Sequence, residues 1–235
     1  MTVAPLRPSR SDTIDAPLAL LGGTFDPVHR GHLRIALDTA TALRLPEVRL
    51  IPSKAPVHRA SPGASEADRL AMLRLAVADD QSGTLRVDDR ELRRDTPSYT
   101  VLTLQSLRAE YPTRPLLWLI GIDAFAHIKS WYQWPQLFEL AHFVVLNRPG
   151  YAVATALSPA LADLWQPRLA QEAAALRATA AGRILLHTVP PQAVSATEIR
   201  NSLANGASDS ALAPLLPAAV LAYIRSHHLY APRAG

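Results

Sequence analysis

Residues 18–36 read Leu-Ala-Leu-Leu-Gly-Gly-Thr-Phe-Asp-Pro-Val-His-Arg-Gly-His-Leu-Arg-Ile-Ala. The fold turns on this stretch. Four apolar residues run into two glycines, a Phe-Asp-Pro turn follows, and an apolar periodicity begins near His32, which together predict strand, tight loop and helix. Lacking a Cβ, Gly22 and Gly23 let a ligand approach the backbone, and a helix beginning near Gly31 turns its unpaired N–H groups and positive dipole end toward the same loop. Two imidazoles, His29 and His32, stand at that mouth. Neither common phosphate-loop pattern is present: there is no Gly-x-Gly-x-x-Gly and no closing Lys-Ser/Thr pair. Taken singly, two glycines after a strand are common, and two histidines three apart also suit metal ligation or plain surface.

Outward from this stretch, short apolar runs at 48–51, 85–87, 116–120, 143–146 and 184–186 alternate with helical segments. Such alternation predicts an α/β domain with a doubly wound parallel sheet and right-handed connections. Residues 1–16, with Pro5, Pro8, Ser9 and Ser11, read as a flexible tail, and a single domain is expected over 17–235. Ser65 with Asp68 predicts a capped packing helix, and Ser98 a cap before Val101, Leu104 and Leu107. Residues 159–180 read as an inserted helical pair that Pro167 should break or kink.

Chemistry-bearing residues fall at the carboxyl ends of the strands, the edge where open α/β sheets bind ligands. A proline-rich loop at 52–59 carries Lys54, His58 and Arg59. Gly121-Ile122-Asp123 closes one strand, and Asn147-Arg148-Pro149-Gly150 the next. Ser195 and Glu198 have capping-box spacing, which would gather hydroxyls, free amides and Arg200 at one helix N-terminus; an ordinary capped helix explains the same spacing. The aromatic cluster in Ser130-Trp131-Tyr132-Gln133-Trp134, in a chain only 6% aromatic, reads first as core.

With 49% apolar residues in 235, a sizeable core is available. The absence of cysteine excludes disulfides, thiolate metal sites and a cysteine nucleophile. No signal-like or membrane-spanning apolar run is evident, so a soluble, cytoplasmic protein is expected. The net charge of +4, from 24 Lys and Arg against 20 Asp and Glu, favours anionic partners. Its even spread, with no basic stripe among aromatics, points to phosphorylated small molecules rather than nucleic acid.

The string Gly-Gly-Thr-Phe-Asp-Pro-Val-His-x-Gly-His-Leu resembles the signature of the nucleotidyltransferase superfamily, its His-x-Gly-His on residues 29–32. Over about 18–230 the chain is similar to the bacterial nicotinate-nucleotide adenylyltransferases. The matches are the 52–59 loop, Pro97-Ser98-Tyr99-Thr100, Gly121-Ile122-Asp123, Trp131-Tyr132, Arg148-Pro149-Gly150 and Ser195-Ala196-Thr197-Glu198-Ile199-Arg200. Where the family often has two prolines before the histidine of the 52–59 loop, this chain has Pro56 and Val57. The resemblance implies a Rossmann-like fold and attack by the phosphate of nicotinate mononucleotide on the α-phosphorus of ATP, with Mg²⁺ carried on the triphosphate. It implies that His29, His32 and Arg200 act in catalysis. ATP would be held by these three with Gly22, Gly23, Thr24, Phe25, Gly121, Asp123, Ser195 and Thr197. The mononucleotide would be held by Lys54, His58, Arg59, Ser98, Tyr99, Thr100, Trp131, Tyr132 and Arg148, the helix start near Ser98 receiving the carboxylate and Trp131 the pyridine ring. Other acceptors, nicotinamide mononucleotide or phosphopantetheine, stay open at this point, as do a nucleic-acid-binding module and a metal protein using His29 and His32. No nucleic-acid or membrane partner is expected, and the oligomeric state is not legible.

Overall fold

Each strand alternates its side chains between two faces, and each face has its own helical cover. The computed structural model describes residues 16–54, 63–147, 159–191 and 193–231. In chain order the elements are β1 (Leu18–Gly23), α1 (Arg30–Leu43), β2 (Val48–Pro52), α2 (Glu66–Ala78), β3 (Leu85–Val87), α3 (Thr100–Glu110), β4 (Leu116–Gly121) and α4 (Ile122–Phe125). There follow α5 (Trp134–Leu140), β5 (His142–Asn147), α6 (Pro159–Trp165), β6 (Ile184–Thr188), α7 (Ala196–Ala204), α8 (Asp209–Leu212) and α9 (Ala218–Ser226). The six strands pair in parallel in the order β3-β2-β1-β4-β5-β6. This is the doubly wound parallel sheet expected from the alternation and the Rossmann-like fold that the resemblance implies, in one domain. Since β1 pairs with both β2 and β4, the winding reverses at β1, and the crevice beyond its carboxyl end is where such sheets take ligands.

Ala19, Leu50, Leu117, Leu119 and Val144 face one way, packed with Ala36 and Ala40 of α1, Met72 and Leu73 of α2, Ile199 of α7 and Val220 and Ile224 of α9. Leu18, Leu20, Trp118, Ile120 and Phe143 face the other way, against Val101 and Leu104 of α3, Leu137 and Phe138 of α5 and Leu161 of α6. Burial on both faces explains why β4 reads as a continuous apolar run. The phosphate-type loop is thus fixed to a strand that cannot shift without unpacking two cores. Among the described residues, no helix is long and apolar enough to cross a membrane.

Two expectations change. Only the first half of the inserted pair is α-helix: Pro167 lies in a 3₁₀ turn (Gln166–Arg168), and a second 3₁₀ turn spans Ala173–Arg177. Between them Leu169 bridges Ile184, and the Ala170 amide donates to the Ile184 carbonyl at 2.7 Å. Pairing with β6 therefore replaces helix where proline removes the N–H. Ser98 does not cap α3; the N-cap is Tyr99, and the Ser98 hydroxyl instead accepts the Lys54 amide at 2.8 Å, fastening the end of β2 to the start of α3. Ser65 caps α2 as predicted, accepting the Asp68 amide. The expected tail falls almost wholly in 1–15, outside the described residues.

Candidate active site

The β1–α1 loop delivers its histidines in a fixed arrangement. His29 is the N-cap of α1, and the His29 and His32 rings stack with centroids 3.6 Å apart and planes 22° from parallel. The Nδ1 of His32 accepts the backbone amide of His29 at 3.3 Å, which leaves the ring proton on Nε2 as a donor. Burial lowers the pKa of His29 from 6.5 to about 4, while burial and then the neighbouring His29 lower that of His32 to about 3. At neutral pH the pair consists of uncharged donors, not cations. His29 is buried, and its Nδ1 has no partner among the described residues.

A second helix start meets this one. Ser195 is the N-cap of α7 and its hydroxyl accepts the Glu198 amide at 3.2 Å. A Cβ on Gly31 would lie 2.7 Å from Cγ1 of Val194, so glycine is what allows the first turn of α1 to sit against the residue preceding that cap. Both helices thus bring their positive ends to one place. Arg200 turns across the gap: its Nη1 donates to the Asp26 carbonyl at 2.7 Å and its Nη2 to the Thr197 hydroxyl at 3.2 Å.

Beside this lies a cavity of about 630 Å³ at the carboxyl ends of β1 and β4. Of the residues singled out from sequence it brings together Gly22, Gly23, Thr24, Gly121, Ser98, Tyr99, Thr100, Trp131 and Tyr132. The Tyr99 and Tyr132 rings lie 4.6 Å apart; Tyr132 is 48% exposed at the cavity, while Trp131 and Trp134 pack against the core, as their clustering predicts. Trp131 also lines it. Thr100, the first residue of α3, lines one end of the cavity, and its amide finds no acceptor among the described residues.

Other singled-out residues lie elsewhere. Phe25 is buried, its ring under Gly23 and edge-on to His32; it supports the loop without lining the cavity. Lys54 donates its ammonium to the Arg94 carbonyl at 2.6 Å, and Asp123 is exposed in the first turn of α4. His58, Arg59 and Arg148 lie outside the described residues.

Several residues at the cavity and its loops were not singled out as site residues. Ser53, Glu91, Trp118, His127 and Ser130 also line the cavity. Glu91 is buried and accepts the Thr103 hydroxyl at 2.6 Å, which in turn accepts from Arg94 at 2.7 Å. A lone acid within Arg90-Glu91-Leu92-Arg93-Arg94 was the available signal. Arg69 of the packing helix α2 is fully buried and donates to the carbonyls of Thr24 at 2.6 Å and Lys54 at 2.7 Å, tying together the loops after β1 and β2.

Comparison with known proteins gives a consistent picture. The cytidylyltransferase-like family model matches residues 20–202. A protein of Aeromonas salmonicida named "probable nicotinate-nucleotide adenylyltransferase" is 46% identical over 217 residues, covering 92% of this chain and 98% of that one. A protein of the same name from Halorhodospira halophila is 50% identical over 197 residues, 84% of this chain and 88% of its own. Among solved structures, Plasmodium falciparum nicotinic acid mononucleotide adenylyltransferase complexed with NaAD aligns with a TM-score of 0.68 over 92% of this chain and 97% of that one. At 15% identity this last likeness speaks for the fold.

Proposed function

We propose that this chain, which belongs to the cytidylyltransferase-like family and within it to the nicotinate-nucleotide adenylyltransferases, transfers the adenylyl group of ATP to nicotinate mononucleotide in the cytoplasm, releasing pyrophosphate on the way to NAD. The observation that carries the choice of acceptor is the cavity of about 630 Å³ lined by Gly22, Gly23 and Thr24, by Thr100, whose amide has no acceptor among the described residues, and by Tyr99, Trp131 and Tyr132. A carboxylate suits free helix amides, and a cationic pyridine ring suits an aromatic face.

In the reaction a phosphate oxygen of the mononucleotide attacks the α-phosphorus of ATP as the bond to the β-phosphate oxygen breaks. The nucleophile is already ionised, so the protein's task is alignment and charge stabilisation rather than proton abstraction. His32 donates from Nε2 to the phosphate oxygens that gain charge, and His29 completes the mouth of α1. Ser195, Thr197 and Arg200, with the start of α7, hold the leaving pyrophosphate. Gly22, Gly23, Thr24 and Gly121 bound the passage between the substrates, while Ser98, Tyr99, Thr100, Trp131 and Tyr132 hold the nicotinate end. Near the phosphates the described residues offer imidazoles, hydroxyls and a guanidinium. That donor set fits a Mg²⁺ ion held mainly by phosphate oxygens and water, which supplies charge neutralisation on the triphosphate. His58, Arg59 and Arg148 are proposed to add positive charge toward the mononucleotide.

Incubation with ATP, Mg²⁺ and each of nicotinate mononucleotide, nicotinamide mononucleotide and phosphopantetheine, followed by mass analysis of the products, tests the proposal. Nicotinate adenine dinucleotide is the expected main product. A chain that adenylylates only phosphopantetheine, or nothing, overturns it.

A further inference from the structure

The carboxylate of Asp26, in the turn just before His29, is 5% exposed and takes three donors from distant segments. Oδ2 accepts the Gly63 amide at 2.7 Å, and Oδ1 accepts the Ala64 amide at 3.1 Å and the Tyr230 hydroxyl at 2.7 Å. The backbone carbonyl of the same residue holds Arg200, whose Nη1 also stands 3.8 Å from Oδ2. Packing repeats the connection. A Cβ on Gly63 would meet the Tyr230 ring at 3.0 Å and the Arg200 Cδ at 3.4 Å, so the ring, the bare glycine backbone and the arginine stem converge. Tyr230 itself lies just beyond α9, in a left-handed conformation with φ of 59°, and α9 is anchored to α2 by the Tyr223 hydroxyl on Asp68 at 3.0 Å.

We infer that Tyr230 is a positioning residue for ATP: through Asp26 it fixes the carbonyl that orients Arg200, so the end of the chain sets the pyrophosphate-side guanidinium. Nothing in the phosphate chemistry requires a phenol near residue 230, and Tyr230 is absent from the cavity lining. A guanidinium has five donors; the contacts with Asp26 and Thr197 occupy two of them and fix its plane, leaving the others to meet phosphate oxygens in one geometry. Without the phenol, the buried carboxylate loses one of these three restraints and the turn bearing the Asp26 carbonyl is freer to move. Arg200 then stays charged and present but less well aimed.

The inference rests on the proposed role of Arg200 toward ATP, and its test is a binding cycle. ATP and nicotinate mononucleotide affinities are measured by calorimetry for wild type, Tyr230→Phe, Arg200→Ala and the double variant, with melting curves for each. Phenylalanine keeps the ring against Gly63 and removes the hydroxyl alone. ATP binding is expected to weaken about five- to tenfold in Tyr230→Phe, with mononucleotide binding within about twofold of wild type. In the Arg200→Ala background the same substitution is expected to cost nothing further, a non-additivity that a merely structural role would not produce. Equal fold losses in both backgrounds, or a Tyr230→Phe protein that binds ATP as wild type does, overturn the inference. Adenylyl transfer to nicotinate mononucleotide is assayed separately on the wild type, so failure of that reaction is read apart from the binding cycle.

Discussion

The two halves of the crevice are built in opposite ways. On the proposed phosphate side the groups already engage one another: His32 accepts from the His29 backbone, Ser195 accepts from Glu198, and Arg200 donates to Asp26 and Thr197. On the proposed mononucleotide side the amide of Thr100, at the start of α3, has no acceptor among the described residues, and aromatic rings line an open cavity. Chemistry needs donors held still before the substrate arrives, whereas selection needs unmet groups that one ligand satisfies and another does not. Damage to the first half should therefore appear mainly in turnover and ATP terms, and damage to the second in the choice of acceptor.

The largest effect is expected from His32→Ala, which removes a preorganised donor: turnover should fall about a hundredfold or more with the fold intact. Turnover within about threefold of wild type would break the comparison on its phosphate side. Arg200→Ala should raise the Michaelis constant for ATP about tenfold and slow turnover, with lysine rescuing only partly because it lacks the planar fork; unaltered ATP kinetics would reduce α7 to a capped helix. On the other side, Trp131→Ala should weaken both mononucleotides about tenfold while sparing ATP, and Thr100→Val should harm nicotinate more than nicotinamide by about threefold. An unchanged ratio in the valine variant removes Thr100 from the carboxylate site.

The smallest effect is on stability. The folded-state pKa values of His29 and His32 are lowered to about 4 and about 3, so the unfolded chain binds protons first as pH falls below about 6.5. Their contribution is fully present above that pH and is lost as pH drops through about 4 for His29 and about 3 for His32. Burial lowers His142 and His187 in the same direction, so part of the slope will remain in any variant of the pair. Replacing both His29 and His32 by Gln should make the fall in melting temperature across this window shallower by a few degrees. Identical slopes in wild type and variant would show the pair to be solvated.

The same contrast explains what could be read from sequence. The parallel sheet and the loop at 22–32 were legible because strand, glycines, turn and helix follow one another along the chain, and local signals suffice for them. Asp26 was visible only as part of a turn, because its partners lie 37, 38, 174 and 204 residues away. Arg69 was hidden in an ordinary amphipathic pattern, where a buried arginine is told from an exposed one only by the carbonyls that meet it. Trp131 and Tyr132 carried a composition signal that favoured core, and only the resemblance turned them toward a ligand, because composition does not say which ring a cavity exposes. Ser98 misled because a hydroxyl before a helix suits a cap and equally suits an amide from another strand, and in this chain the Lys54 amide takes it.

The selectivity of the wild-type protein tests the central claim most directly. Specificity constants for nicotinate and nicotinamide mononucleotides are compared at saturating ATP and Mg²⁺ by following pyrophosphate. An amide presents its own N–H donors to the free amides of α3, and an unpaired buried donor costs about 1–3 kcal/mol. A preference for nicotinate of roughly ten- to a hundredfold is therefore predicted. Equal use of the two substrates, or a preference for nicotinamide, would contradict a carboxylate site at the start of α3.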